Sequence, residues 1–529
     1  MEKKQLQIRT FTVNKDLHPW DLEPNVFNSA TNFRLVDGKA IAANGHKAVG
    51  LAAPNSGSVS IVATQKDSSH YYILSGSLNT LLYDGSTWSV ISSADRATAG
   101  ALSNSQLQWT SCKLGFNVII NNSQHFPEYW SGNNGEVMQP LNFTPLKTWK
   151  QMNYRATVLR SHKDFLFALG LVEDGVEQPN AYRWSHPADT NGLPFTWDEM
   201  DLSAIASKES INGDFGVIVD GLSLRDSFCI YTERSVHILD YTGDEFVFRR
   251  RLLSTSHGVQ SPNCIIEAVG KHYFITETDI IVNDGNNLVS LLTNKLKLIF
   301  NNISTSYFEN NFACANPITN EAWFCLVEKG YEYPSIAIVY NWVTETLALR
   351  DITSASAKGT LACITFGPDL PDPLPWDTRP TDWNSYSYTD VEGNVSNWWN
   401  YSGYSPYTNT FFGIGPSYAQ IQKIEGTRTG VTTVLQRDNL ALEGHINVTT
   451  LTRVYPHITS AGPVTFQFGS HDFNSSSIRW KPEIVFNPLT DRKIDIRTTG
   501  ELQAWKITSV GTDFQMSGID FEYTVNGVR

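Results

Sequence analysis

The sequence predicts an all-β fold: a β-propeller of about six four-stranded blades, a C-terminal antiparallel β-sandwich-like domain, and a long irregular arm rich in proline and aromatic residues between them. Three observations predict it. The chain of 529 residues is 41% hydrophobic, 12% aromatic and only 18% charged, with 36 glycines and 23 prolines, the usage of a β protein with many turns. Short apolar runs recur at about 45 to 65 residues: YYIL at 71–74, VII at 118–120, FLFAL at 165–169, FCIYT at 228–232, YFIT at 273–276 and WFCLV at 323–327, a period in the propeller range. From about residue 420, apolar and polar residues alternate. The length exceeds what one core supports, since single cores stop growing near roughly 250 to 300 residues.

Residues 1–50 precede the first run and are read as an N-terminal strap. Residues 51–352 carry the repeat. Roughly ten residues after each apolar run stands a second strand ending in a turn: LLYDG from 81, PEYWSG from 127, AYRWSH from 181, VHILDYTG from 236, IIVNDG from 280 and IVYNW from 338. WSVIS, FVFRR, LVSLL and TLALRDI follow as further strands, with VMQPL and FTWDEM fitting that place loosely; SVSIVAT, RATVLR and GVIVDG lie upstream of their runs. Four short strands per unit make a propeller blade. The runs are too short, and too rich in aromatic and β-branched residues, for core helices.

Residues 353–419 break the period. Five prolines stand within 368–380, and a polar, aromatic stretch without alternation follows; a segment so long and irregular in a compact protein is expected to contact something. Trp376, Trp383, Trp398 and Trp399 in this arm are the partner-contact candidates, suited to stacking on a sugar or packing on a partner, or else to anchoring the loop to the body. Residues 420–529 read as the separate β domain. Ile446, Val448 and Thr450 share one face, as do Val464, Phe466 and Phe468, and Ile519, Phe521, Tyr523 and Val525.

The formal charge of −13 argues against a phosphate-seeking surface, and the densest basic spot, Arg249–Arg251, reads as a solvated strand end. No apolar run approaches a membrane span, and no secretory leader is visible behind the first lysines. The six cysteines, Cys112, Cys229, Cys264, Cys314, Cys325 and Cys363, form no C-x-x-C pair and read as free thiols of a protein assembled in a reducing cytoplasm.

LLYDGSTWSVIS at 81–92 comes within one residue of the Asp-box S-x-D-x-G-x-T-W of sialidase-type propellers. However, Asp84 directly precedes Gly85, and no serine stands two places before the aspartate. Asp-Gly between two apolar strands is ordinary hairpin chemistry, and the dipeptide recurs at Asp284 and Gly285. Nothing singles out a pair of carboxylates for glycoside hydrolysis. Nor is there a metalloprotease, nucleophile-elbow, phosphate-loop or EF-hand motif. The expectation is therefore no enzyme, no catalytic or metal-ligating set and no cofactor. Scattered histidines such as His162 and His272 read as surface or satisfied core residues.

Three stretches carry a family resemblance. LHPWDLEPNVFNSATNFRLVDGKAIAANGH at 17–46, with Pro19, Phe27, Asn32, Phe33, Arg34, Asp37, Gly38 and Gly45, resembles the opening of the tail nozzle proteins of short-tailed bacteriophages, also called tail tubular protein B or tail hub proteins. AYRWSHPADTNGLPFTWDEM at 181–200 is similar to a strand and loop of that family, and the closing LQAWKITSVGTDFQMSGIDFEYTVNGVR looks like its last strands. The resemblance implies a non-catalytic virion protein, assembled in the host cytoplasm, that forms a homohexameric ring below the tail adaptor. It would hold fibres or spikes outside and pass double-stranded DNA through its lumen without reading its sequence. Six copies at −13 each carry −78, and like charge discourages sticking to DNA. The alternative is a glycan-binding or glycan-cleaving propeller of a phage tail or cell surface.

Overall fold

In the computed structural model of the protein, the described residues are 3–54, 57–66, 69–98, 101–102, 108–190, 192–243, 247–352, 358–368, 387–389, 395–397, 409–444, 446–472 and 477–528. The chain is 57% strand and 3% helix. Among the described residues, seven four-stranded antiparallel sheets succeed one another. The first holds Ser58–Lys66, Ser69–Gly76, Thr80–Tyr83 and Trp88–Val90, and the second Trp109–Leu114, Asn117–Asn122, His125–Trp130 and Gln139–Pro140. The third holds Tyr154–His162, Phe165–Glu173, Val176–Trp184 and Ser207–Ser210, and the fourth Ile218–Leu224, Ser227–Thr232, Val236–Tyr241 and Phe248–Ser254. Ile265–Ala268, Lys271–Ile275, Ile280–Asn283 and Leu288–Ser290 make the fifth; Phe312–Asn316, Glu321–Leu326, Ile336–Asn341 and Thr346–Asp351 make the sixth.

Every recurring apolar run lies in the second strand of its sheet, and every D-G, Y-W or L-D turn strand in the third. These central strands have neighbours on both faces, which is why they are apolar without alternation. Apolar layers fill the space between successive sheets: Ile73, Leu82, Val118 and Trp130 between the first and second, Ile119, Leu159 and Leu166 between the second and third, Phe167, Phe228 and Phe248 between the third and fourth. The first strands touch in cyclic order from the first sheet to the seventh, and Cys363–Pro368 of the seventh returns to Ser58–Lys66 of the first. The result is a propeller-like all-β ring.

The seventh sheet has no counterpart in the sequence repeat of about six. It pairs Cys363–Pro368 with Asn409–Ile414, then Ile421–Thr427, then Gly45–Val49. Forty residues interrupt its first hairpin and its last strand comes from the opposite end of the chain, so no local period marks it. Residues 353–419, read from the sequence as an irregular arm, thus supply two strands of a regular sheet. FTWDEM does not form the fourth strand of the third sheet; Ser207–Ser210 does. Buried Trp197 and the guanidinium of Arg183, which donates to the Trp197 carbonyl (2.8 Å) and to Glu199 (2.6 Å), hold 195–201 as a loop instead.

Two six-stranded sheets complete the chain, and both termini build them. In one, Phe514–Val528 lies between Asn447–Ser460 and the N-terminal strands Lys3–Arg9 and Lys39–Ala42, with Phe33–Val36 and Ile494–Gly500 at its edges. In the other, Ser29–Thr31, Thr432–Leu440, Leu502–Val510 and Val464–His471 run in order, ending at Arg479–Trp480 and Ile484–Phe486. Their inner faces meet through Trp505, Phe521 and Phe27, ring centroids 5.5 to 6.0 Å apart. Val464, Phe466, Phe468, Ile519, Phe521 and Tyr523 point inward as their alternation predicts. The set Ile446, Val448 and Thr450 does not hold together: Ile446 is exposed and Val448 half-buried, while Thr450 is buried along with its neighbours Thr449 and Leu451, because bulges at Val448/Thr449 and Leu451/Arg453 shift the register.

Candidate functional site

The ring has two faces. The turns that join first to second strands lie on one, and the links entering each first strand lie on the other. On the second face a cavity of about 430 Å³ opens on the axis. Its wall comes from the first, second, fifth, sixth and seventh sheets and their links, with Trp109, Tyr307 and Tyr333 as aromatic surfaces and Glu309, Glu332 and Asn310 as polar ones. Burial raises the Glu309 carboxyl above its usual range. Gln108 braces the wall by donating to Ser261 Oγ (3.2 Å) and the Glu309 carbonyl (3.0 Å).

Asn263 of the cavity wall leads to a cluster of side chains between the first strands. Arg160 of the third sheet grips Asp220 of the fourth with two parallel bonds, Nε to Oδ1 at 2.9 Å and Nη2 to Oδ2 at 2.8 Å. The same guanidinium reaches Asn263 Oδ1 (2.9 Å) before the fifth sheet and the Ser111 carbonyl (3.2 Å) of the second. One side chain therefore touches three neighbouring sheets.

A second polar cluster joins the ring to the paired sheets. Arg34 lies 3.0 Å from Glu321 and 2.5 Å from Glu425, and Arg350 pairs with Glu425 and stacks over Trp323 at 4.7 Å. Trp323 donates to Glu321 at 3.1 Å. Beside it, burial and the nearby Arg350 charge hold His46 down at about 3. Asn32, at φ 57, donates to Asp351 (3.2 Å) and to the Thr432 carbonyl (2.8 Å). Asp37 and Gly38 turn the hairpin between Phe33–Val36 and Lys39–Ala42, with φ of 50 and 74. Phe27 stacks on Phe11 at 5.1 Å, and Gly45 pairs with Thr427. The residues that carry the amino-terminal resemblance thus gather where strap, ring and paired sheets meet.

The near Asp-box is a turn. Asp84 accepts from the amides of Ser86 (2.9 Å) and Thr87 (2.7 Å) and from both hydroxyls. Burial pushes its carboxyl up, but these bonds outweigh it and hold the pKa at about 2. Trp88 stacks on Tyr83 at 4.6 Å and donates to the Leu51 carbonyl. Asp284 accepts from Asn286 and Asn287 in the same way, and Gly85 and Gly285 share φ near 92.

His162 and His272 are buried core residues. His162 meets Ser223 Oγ at 2.9 Å between Phe167 and Phe228; His272 bridges the Tyr231 hydroxyl (2.8 Å) and the Ser223 carbonyl (2.7 Å). Arg250 and Arg251 lie on the exposed fourth strand of the fourth sheet, where Arg251 pairs with Asp240 at 2.8 Å. All six cysteines are free thiols. Trp376, Trp383, Trp398 and Trp399 lie outside the described residues; the strands that flank them, Cys363–Pro368 and Asn409–Ile414, end on the face opposite the cavity. Among the described residues no group of three or more His, Cys, Asp or Glu could hold a metal ion, and no helix is long and apolar enough to cross a membrane. No family model matches the sequence, and no curated protein matches it.

Proposed function

We propose that this protein is a structural virion component, the nozzle ring at the distal end of a short bacteriophage tail, built on a seven-bladed β-propeller with a C-terminal β-sandwich that both termini complete. One observation carries the reading. Within the nozzle-like strap, Arg34 forms the ion cluster with Glu321 and Glu425, Asn32 reaches Asp351 and the Thr432 carbonyl, and Gly45 pairs with Thr427, so part of the resemblance falls on residues that tie ring to sandwich.

In this reading the DNA conduit lies between copies rather than through one chain, because Arg160 already links Ser111 of the second sheet, Asp220 of the fourth and Asn263 before the fifth inside the ring. A homohexamer would surround that conduit, with the tail adaptor above it, fibres or spikes outside, and DNA passing without sequence-specific contact. Electron microscopy of the purified protein, alone and mixed with the tail adaptor of the same phage, tests this. Rings that join the adaptor are expected; a chain that stays monomeric and never joins it overturns the reading.

The axial cavity favours a second reading, a glycan-binding or glycan-cleaving propeller, because aromatic faces beside carboxylates and amides suit sugars. Retention on a glycan array that Trp109→Ala abolishes would support it, and its absence would remove it.

A further inference from the structure

The loop 195–205 leaves the rim of the third sheet with its apolar side chains, Trp197 excepted, turned outward. Leu202 is fully exposed, Met200 81% and, at the tip of the adjoining hairpin 142–148, Leu146 91%; Phe195 and Ile205 extend the patch. Large apolar groups so clustered on a soluble surface mark a contact. The loop is rigidly held from beneath. Trp197 is buried edge-on against Trp149 at 5.0 Å, its amide donates to the Phe143 carbonyl (2.8 Å), and Trp184 Nε1 ties the Ile205 carbonyl at 2.9 Å. His186 stacks edge-on with Phe195 at 4.5 Å. A loop ordered in advance loses little entropy on docking. It is also acidic: Glu199 is paired with Arg183, but Asp198 and Asp201 remain, with no lysine or arginine between 195 and 205.

A complementary surface stands at the other end of the molecule. Ile484–Phe486 is the edge strand of the second six-stranded sheet, whose opposite edge, Ser29–Thr31, packs against Thr346–Asp351 of the ring. Val485 and, in the following turn, Leu489 are exposed at 66% and 74%. Asn487 and Asp491 hold that turn through mutual bonds of 2.8 to 2.9 Å. Around them, residues 479–497 bring five cations, Arg479, Lys481, Arg492, Lys493 and Arg497, against three anions, Glu483, Asp491 and Asp495. That is a positive stretch on a chain of net charge −13. In the cyclic order of seven sheets, the third lies across the ring from the sixth and seventh, which carry the paired sheets.

We propose that the acidic, apolar loop 195–205 of one copy docks on the basic, apolar edge 479–497 of a second copy, a head-to-tail contact between unlike surfaces on opposite sides of the molecule. Such a contact repeats from copy to copy and closes into a ring when the rotation permits. The choice of a second copy as occupant rests on the ring-forming reading above; the two surfaces and their charges do not.

Sedimentation velocity on three purified chains tests it: the wild type, Met200→Arg/Leu202→Arg, and Val485→Glu/Leu489→Glu. All four positions are exposed, so thermal midpoints equal to the wild type are expected and exclude misfolding. The wild type is expected to assemble, and each double variant to sediment as a monomer. An equimolar mixture of the two variants keeps one intact surface of each kind, so it is expected to give a one-to-one heterodimer and nothing larger. Variants that assemble like the wild type, or a mixture that stays monomeric, overturn the docking surfaces while leaving the ring reading standing. A wild type that stays monomeric overturns the proposal, and its failure also to join the tail adaptor overturns the reading beneath it.

Discussion

Glu128 is a buried carboxyl shifted toward neutral pH. It sits in the third strand of the second sheet, buried, accepting the hydroxyl of Ser93 and lying near Arg96. Burial raises its carboxyl from 4.5 to about 7, and the hydroxyl and guanidinium pull it back only in part. A carboxyl whose folded pKa exceeds its unfolded value favours the native state while protonated. Its contribution is complete below about 4.5 and is lost as pH rises through about 7. Glu128→Gln keeps the shape and removes the titration. The wild type is expected to lose on the order of 3 kcal/mol at most between about pH 5 and 8 relative to the variant, at about 1.4 kcal/mol per unit. Parallel thermal-midpoint profiles for the two would refute this. At this scale the sequence was readable where local chemistry decides. Asp84 before Gly85 announced a turn, and the turn bonds are there. Glu128 was not readable, because what shifts it is a helix, Ala94–Thr98, and a neighbouring sheet brought to it by the fold.

At the scale of elements, closure of the ring depends on how near two first strands approach. A Cβ on Gly367 would lie 2.3 Å from Ala63 Cβ, across the contact between the seventh and first sheets. Gly367→Ala is expected to cost about 1 to 3 kcal/mol through overpacking. Adding Ala63→Gly should restore most of the loss, since it removes the atom in the way. Denaturant melts of the two single variants and the pair form the check; a pair no more stable than Gly367→Ala would place the strain elsewhere. The same sheet marks the limit of pattern reading. Six sheets were legible because their second strands, such as FLFAL and WFCLV, are apolar runs of one kind at one period. The seventh has an equivalent strand, Phe411 and Phe412 within Asn409–Ile414, but its hairpin partner lies forty residues upstream. Bulges hid the true inward face of Asn447–Ser460 for a similar reason, since alternation presumes an unbroken register.

For the whole molecule, the segment 369–408 is an insertion into a single turn. Pro368 and Asn409 are paired residues of adjacent strands, so Asn-Gly in place of 369–408 would make an ordinary two-residue hairpin. The shortened chain is expected to keep the wild-type thermal midpoint and sedimentation profile while losing whatever Trp376, Trp383, Trp398 and Trp399 contact. Pull-down with the fibre protein and glycan binding, both compared with the full chain, separate the partners. A shortened chain that fails to fold would show instead that these tryptophans anchor the body.

The seventh sheet also sets an order of events in synthesis. Gly45–Val49 cannot find its partner until Ile421–Thr427 has been made, 372 residues later counting from Val49 to Ile421. At about 5 to 20 residues per second, that first-made strand waits roughly 20 to 75 seconds beside the ribosome. Lys3–Arg9 waits longer still, for Phe514–Val528. Throughout that interval these strands lack their native partners, so the ring can lock only after its last strands have been made.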